Sequence, residues 1–420
     1  MKEFFGRKIL KYQDQIFRDL KTLVAIPSVA DASAARRPFG ERSAEALRWI
    51  LNRARELGLD TVNVGDYAGH AEYGGGEAVA AVVALYCLKA LKDERVKCVR
   101  KARAIFGAGE EIASDDLKQY FQREALPELA FTPDAEYGVC NREKGILHVE
   151  LSAPADGSRL ESLHGGTVRN AVAASARAEA RCTAEECEAL EALSKKMDGK
   201  FSFQWSGGVL TAECAGRAAH AMEPQKGRNA AARLVRLFSS CFGGEALGAL
   251  WSFVDQKIGL ELDGSSLGLR REDAVSGPLT VNLGVAEQDN GVCRAVLDIR
   301  YPVTADGEEI FERLRAAAGA YGVKARVLAE QKPLFVPEDT PLIRMLKGAY
   351  ETVTGGRARL YGTGGGTYAR SLQNRGVAFG PVFPGEENHL HDADEFIEIE
   401  KFMLHAQICL EALFRMATQK

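Results

Sequence analysis

Two adjacent glutamates close the segment AIFGAGEE, residues 104–111. The apolar run Ala104-Ile105-Phe106 leads through two glycines to Glu110 and Glu111, a pattern typical of a buried strand leaving the core. Of two neighbouring carboxylates at such a strand end, one can ligate a divalent cation and the other can take a proton from water. The pair is therefore a candidate for metal-assisted hydrolysis, and a solvated loop is the alternative interpretation.

Three further segments supply oxygen, imidazole or backbone groups at predicted strand ends: FTPDAE, YGTGGGTYAR and FPGEENHLHDADE. They contain Asp134, Glu136, His389 and His391. In a doubly wound sheet, ligands bind beyond the carboxyl ends of the strands, where these groups would converge. Carboxylates combined with imidazoles favour a divalent metal, with Zn²⁺ as the first choice. The glycine loop lacks the GK[ST] of a phosphate-binding loop, which excludes that mode of nucleotide binding.

The elements that must position these residues alternate between strand and helix in the first third of the chain. Residues 1–25 and 42–58 predict helices, TVNVGDYAGHAEYG an edge hairpin, and CVRKARAIFGA a central strand. From about residue 147 an antiparallel α+β pattern takes over, with a hairpin turned at Asp289-Asn290-Gly291. The α/β pattern resumes after residues 332–341, so an inserted second domain is expected in a discontinuous first domain.

Composition places the chain among ordinary globular proteins of two domains. Of its 420 residues, 46% are apolar and 27% charged, and the net charge of −4 gives no reason to expect a nucleic-acid partner. No apolar run reaches the roughly 20 residues that a membrane span needs. Nine scattered cysteines without CxxC pairs favour reduced thiols and a cytoplasmic location.

The chain resembles the M20 metallopeptidases, and within them the bacterial dipeptidases of the PepV type. The resemblance covers nearly the whole length. It is carried, in family order, by NVGDYAGHAEYG, GAGEE, FTPDAEY, HGGTVRNAV, GRAAHAMEPQKGRNAA, TVNLGVAE, DIRYP, GGGTYAR and FPGEENHLHDADEFI. It implies a zinc-dependent hydrolase of dipeptides with a discontinuous α/β catalytic domain, a mixed sheet flanked by helices, and an inserted α+β ferredoxin-like lid domain. The predicted bounds are 1–150 and 335–420 for the catalytic domain and 151–334 for the lid.

Site residues follow from the resemblance by position. Glu110 matches the general base, Glu111 and His391 match ligands of one zinc ion, and Asp134 matches a ligand of the other. His220 matches the lid histidine that meets the tetrahedral oxyanion. The substrate-binding positions are Asn170, Arg300, and the loop backbone at Gly365, Gly366 and Thr367, which follows Gly364.

One departure from the family pattern bears directly on the metal site. The family has a strand ending in a His-x-Asp ligand pair and a later Asp-Asp-Lys-Gly segment with the bridging aspartate, whereas here HAEYGGGEAVAAVV runs straight into a helix. A few dozen residues are missing, so one or two zinc ions are expected with the second site incomplete; Mn²⁺ or Co²⁺ are other candidates. The function predicted is a dipeptidase of impaired activity. The alternatives are a non-catalytic degenerate member and an N-acyl-amino-acid deacylase.

The remaining expectations concern partners and isolated residues. The partner is a small peptide, and the long lid favours a monomer. His70 is a weaker candidate for a replacement ligand, and His389 is left unassigned. Asp115 and Asp116 are interpreted as the N-cap region of a helix beginning near Leu117. A structural role is predicted for His148, His164 and His405.

Overall fold

The computed structural model describes residues 3–29, 37–74, 82–109, 115–386 and 396–419. Three predicted site residues, Glu110, Glu111 and His391, lie outside the described residues, as does His389.

The chain divides into two compact units. Unit 1 comprises residues 1–142 and 334–420, and unit 2 comprises residues 143–333. Each has its own buried apolar core. The assignment of a catalytic role to one and a lid role to the other stays a prediction.

The first segment of unit 1 opens with a 3₁₀ helix, Phe5–Tyr12, and then alternates helices and strands as predicted. Its helices are α1 (Gln13–Val24), α2 (Glu41–Glu56), α3 (Val82–Asp93) and α4 (Asp115–Tyr120). Its strands are β1 (Asp60–Val64), β2 (Ala68–Gly74), β3 (Lys101–Gly107), β4 (Ala130–Thr132), β5 (Ala135–Glu136) and β6 (Val139–Glu143).

Unit 2 follows in one stretch and is dominated by antiparallel strands. Its strands are β7 (Gly145–Pro154), β8 (Leu160–Gly165), β9 (Ser175–Arg181), β10 (Lys200–Ser206), β11 (Val209–Ala215), β12 (Glu272–Asp273), β13 (Gly277–Pro278), β14 (Thr280–Asp289), β15 (Val292–Tyr301) and β16 (Lys324–Gln331). Its α-helices are α5 (Ala184–Ser194), α6 (Ala230–Phe242), α7 (Gly248–Phe253) and α8 (Gly307–Gly319).

The chain then returns to unit 1. This second segment contains β17 (Leu334–Phe335), α9 (Pro341–Thr354), β18 (Leu360–Thr363), β19 (Gly376–Ala378), β20 (Pro381–Val382) and α10 (Ile399–Thr418). Helix α9 begins at Pro341 because Thr340 accepts a hydrogen bond from the Ile343 N–H and Pro341 occupies the first turn. It ends at Gly355, which adopts the left-handed conformation that favours glycine.

Unit 1 contains two main sheets in the described residues. One has the order β1-β2-β3 with antiparallel neighbours. The other has the order β17-β6-β19-β4, with β19 and β4 parallel and β18 paired to β6. A small parallel pair, β5 and β20, continues beyond β4 and β19. The predicted hairpin in residues 61–74 is confirmed as β1 and β2.

The prediction that β3 is a central strand is wrong for the described part of the chain. There β3 pairs with β2 alone and forms the end of its sheet, although its side chains from Ala102 to Phe106 are buried. An apolar run indicates that a strand is buried, but it does not indicate how many strands pair with it. Here the burial comes from α3 and α10, which pack against β3.

Unit 2 is built on an eight-stranded antiparallel sheet of order β10-β11-β9-β8-β14-β15-β7-β16. Helices α6, α7 and α8 pack against this sheet, and the core lies between them. In β7, β14 and β15 alternate residues such as Leu147, Val281 and Leu297 enter the core. The intervening residues therefore lie on the opposite face of the sheet.

None of the helices in the described ranges combines the length and the apolar content that a bilayer crossing demands.

Candidate functional site

Asp134 is the predicted metal ligand that the structure describes. It is half-buried and lies between β4 and β5, where the parallel strands β4 and β19 have just ended. This is the position at which α/β sheets bind ligands. Nearby, the exposed carboxylate of Glu136 forms an ion pair with Arg359, with 2.9 Å between Oε2 and Nη2.

The end of β3, which leads to Glu110, is held by a buried carboxylate. Asp116 is fully buried, and its Oδ2 accepts hydrogen bonds from the Gly109 N–H at 2.8 Å and from the Tyr368 hydroxyl. Its Oδ1 accepts from the Leu117 N–H at 2.7 Å. Asp115 and Asp116 lie in the first turn of α4, which begins two residues before the predicted start near Leu117, and the Asp116 carboxylate also joins this helix to β3 and to the GGGTY loop.

That loop is partly ordered by its own side chains. The Thr363 hydroxyl accepts from the Gly365 N–H at 3.0 Å, and Arg370 Nη2 donates to the Gly365 carbonyl at 2.7 Å. The Thr367 hydroxyl accepts from the Ala369 N–H at 3.1 Å and so begins a short 3₁₀ helix. Gly366 is exposed. Predicted backbone contact of Gly365, Gly366 and Thr367 with a substrate stays a prediction.

The described part of the chain does not by itself form a metal site. It contains no group of three or more His, Cys, Asp or Glu residues arranged to hold a cation. Asp134 alone supplies too few ligands for a tetrahedral site, and the other two predicted ligands lie outside the described residues.

His70 belongs to a buried polar cluster rather than to a set of ligands. It is 1% exposed, and its Nδ1 lies 2.7 Å from the Tyr120 hydroxyl. Arg103 donates to the same hydroxyl at 3.0 Å and to Glu72 at 3.2 Å. Burial, with the charge of Arg103, lowers the pKa of His70 to about 4. These contacts support a structural role.

In unit 2 the structure brings two predicted residues together. His220 and Ala171 form an isolated antiparallel bridge, and the Ala221 N–H donates to the Asn170 carbonyl at 2.9 Å. Asn170 and His220 are both exposed. The two segments of the predicted substrate-binding surface are therefore paired through their backbones.

The imidazole of His220 is set for one tautomer. The Met222 N–H donates to Nδ1 at 3.1 Å, so the proton of the neutral ring is assigned to Nε2. The protein packed around the ring and the nearby charge of Arg300 lower the pKa of His220, although part of the residue stays exposed. At neutral pH the ring is therefore uncharged and carries an Nε2–H donor.

Arg300 is held by a buried carboxylate on its own strand. It is 3% exposed, and its Nε and Nη2 donate to Asp298 at 2.5 and 2.7 Å. His148, directly opposite Asp298 on β7, places Nε2 2.9 Å from the same carboxylate. Burial alone would raise the pKa of Asp298, but the hydrogen bonds from His148 and Arg300 hold it below its usual range. The guanidinium is thus fixed in place by an ionised partner.

Sequence reasoning missed this His148–Asp298–Arg300 arrangement. Residues 148 and 298 are 150 positions apart and meet only because β7 and β15 are paired. The signal that could have indicated it is Asp298 itself, a charged residue two positions before Arg300 within the otherwise apolar run 295–299.

The sequence also matches a known protein family. The model of peptidase family M20/M25/M40 matches residues 73–415. The chain belongs to this family. It is therefore a hydrolase by family resemblance, and the family's metallopeptidase character implies a metal cofactor.

A curated relative extends along the whole chain. The putative dipeptidase YtjP of Bacillus subtilis is 29% identical, over 98% of this chain and 99% of the relative. That alignment runs over 461 positions and the chain has only 420 residues, so at least 41 positions have no counterpart here. The relative is correspondingly longer than this chain.

Solved structures share the fold at low identity. Human carnosine dipeptidase 1 is similar with a TM-score of 0.56 and 11% identity, over 98% of both chains. An M20 family metallo-carboxypeptidase from Sulfolobus solfataricus gives 0.55 and 14%, over 94% of this chain and 98% of the other. At these identities the likeness establishes the fold, and the predicted α/β class with its mixed secondary structure is confirmed.

Proposed function

We propose that this protein is a metal-dependent dipeptidase whose metal site is incomplete. The observation that carries the proposal is the end-to-end match to a relative named as a putative dipeptidase, combined with the order of the family motifs. The pairing of Asn170 with the His220 segment supports the substrate-binding part of the assignment.

The proposed chemistry assigns one task to each residue. Glu110 removes a proton from the attacking water, whose oxygen adds to the peptide carbonyl carbon, and then passes the proton to the leaving amine. The Nε2–H of His220 donates to the oxyanion that forms. Arg300 and Asn170 hold the C-terminal end of the substrate, and the backbone at Gly365, Gly366 and Thr367 lies along it.

The proposed cofactor is Zn²⁺, held by Glu111, Asp134 and His391, with Mn²⁺ or Co²⁺ as other occupants. When bound, such a cation polarises the scissile carbonyl and neutralises developing negative charge. Carboxylate and imidazole ligands suit this ion. We place the missing positions between Gly74 and Val82, where the family carries its remaining ligands, so one ion per chain is expected and activity is reduced.

The proposal also includes a cellular location and an oligomeric state. We propose a cytoplasmic monomer acting on small peptides, because the cysteines are free, six of them buried, and unit 2 is a large inserted unit.

A second candidate function is a family member that binds peptide without hydrolysis. The absence of at least 41 aligned positions favours it, because a shared ligand lost with them would leave the metal weakly held.

One experiment separates the candidates. The purified protein, supplied with Zn²⁺, Mn²⁺ or Co²⁺, is assayed on a panel of dipeptides and N-acyl amino acids beside an E110Q control, and its metal content is measured after dialysis. Dipeptide turnover that E110Q abolishes supports the dipeptidase, and preference for N-acyl amino acids identifies a deacylase. No turnover above E110Q, with one ion or none per chain, supports the non-catalytic member. Two ions per chain contradict the incomplete site.

A further inference from the structure

The motif TVNLGVAE has no role in the chemistry proposed above, yet it contains a buried polar side chain. Asn282 is 2% exposed and lies in β14 between Val281 and Leu283, which enter the core of unit 2. Its side chain is therefore on the opposite face of the sheet, the face that carries Asp298 directly across on β15. Burial of an amide is costly unless its hydrogen bonds are satisfied, so its partner is informative.

That partner is the backbone of Ala171, which lies between β8 and β9 and pairs with His220. Asn282 Nδ2 donates to the Ala171 carbonyl at 2.9 Å. Ala171 forms the antiparallel bridge to His220, with the Val172 N–H donating to the Ala219 carbonyl at 2.9 Å on one side. The amide of Asn282 thus holds the backbone of Ala171, which pairs with His220, against strand β14.

Close packing next to Asn282 shows that this segment lies directly on β14. A Cβ added at Gly284 would overlap the carbonyl oxygen of Arg169, so only glycine permits the approach. Asn229, the N-cap of α6, donates from its side chain to the Leu283 carbonyl at 2.6 Å. Residues 169–171 are therefore held against β14 at two neighbouring points, Gly284 and Asn282.

We propose that Asn282 is a positioning residue for His220. It fixes the peptide of Ala171, and through the paired backbone it fixes the direction in which the His220 Nε2–H points. The inference rests on the proposed function, in which this N–H meets the oxyanion. An error of about 1 Å in such a donor weakens its hydrogen bond to the oxyanion, whereas Arg300 is held separately by Asp298 and keeps its position.

The test uses two Asn282 variants and a matched control in the full-length protein. N282A removes the amide, and N282L keeps its approximate size without the Nδ2 donor and without adding a charge opposite Asp298. The control is Q288A, because Gln288 lies in the same strand, is also 2% exposed and also donates to a backbone carbonyl, that of Leu160. Both Asn282 variants should lower kcat roughly tenfold or more and change KM by a smaller factor, because Asn170 lies in the same segment while Arg300 does not. Q288A should change neither constant by more than about twofold.

A second measurement does not need turnover. In protein labelled with ¹⁵N-histidine, the His220 ring signals, assigned by their loss in H220Q, should report the Nε2–H tautomer in the unmodified chain and a mixture in N282A and N282L. Should N282A not fold, N282S takes its place, since its hydroxyl is too short to reach the carbonyl in the same geometry.

An unmodified chain without turnover contradicts the proposed function alone, and the ring signals still test the positioning role. Asn282 variants with unchanged kcat, or with unchanged ring signals, overturn the inference.

Discussion

His405 is a titratable group buried in the core of unit 1. It lies in α10, is 4% exposed, and its Nδ1 is 2.8 Å from the Tyr137 hydroxyl. Burial lowers the pKa of His405 to about 4, and burial raises the pKa of Tyr137 well above its usual value. The phenol of Tyr137 therefore stays protonated and donates a hydrogen bond to the uncharged ring of His405.

This contact predicts a loss of stability in weak acid. The unfolded chain protonates His405 near pH 6.5, whereas the folded chain does so near pH 4, so between these values the unfolded state binds more protons. The free energy of unfolding should fall as the pH is lowered through this window, by up to about 1.4 kcal/mol per pH unit for this group. Urea denaturation at pH 7, 6, 5 and 4.5 measures it.

Two variants isolate the contribution of His405. H405N keeps an acceptor for Tyr137 but cannot titrate, so its stability should depend less on pH in this window. H164Q removes an exposed histidine and should leave the dependence as it is. Equal pH dependence in H405N and the unmodified chain would contradict the prediction.

At the scale of elements, the end of β3 depends on a close approach. A Cβ added at Gly107 would overlap the Tyr368 hydroxyl oxygen and Asp116 Oδ2. G107A must push apart the contact that joins β3, α4 and the GGGTY loop. We expect a destabilisation of about 1–3 kcal/mol, the range typical of overpacking, as measured by urea denaturation.

The matched control is Gly319, which lies in α8 where an added Cβ meets no atom within 4 Å. G319A should be neutral or stabilising by up to about 1 kcal/mol, because alanine favours helix. If G107A costs no more than G319A, the three elements are not coupled through this contact.

Hydrophobic periodicity was sufficient to predict the hairpins β1–β2 and β14–β15 and the helices α1 and α2, because each is specified by local pattern. It was insufficient for β3, because a buried apolar run has the same pattern whether one or two strands pair with it. The link between Asn282 and Ala171 was equally hidden, since 111 residues separate them and no local pattern encodes their contact. The position of Asp134 at a strand end, by contrast, was readable from the apolar residues before it.

At the scale of the whole molecule, the difference in length from the curated relative gives the sharpest prediction. In a chimera, the positions of the Bacillus subtilis relative that have no counterpart in this chain are inserted after Gly74, the place given to them in the proposed function. If the missing ligands belong there, metal content should rise by about one ion per chain and dipeptide turnover should increase.

A Gly/Ser linker of the same length, inserted at the same place, is the control for this chimera. It adds chain without ligands or strand-forming side chains and should change neither metal content nor turnover. A chimera that folds, as judged by circular dichroism, but matches the linker variant would show that the missing positions do not complete the metal site.

The contact between β8 and β14, called here the seam, divides the sheet of unit 2 into two halves of four strands each. The strands β10, β11, β9 and β8, with α5 and α6, come from one uninterrupted stretch, residues 160–242, whereas β14, β15, β7 and β16 make up the rest of the sheet. Across the seam only Ala286, Glu287 and Gln288 are in register with β8. The other four strands pair with one another through β14–β15, β15–β7 and β7–β16, so none of these three ladders uses a strand from that stretch.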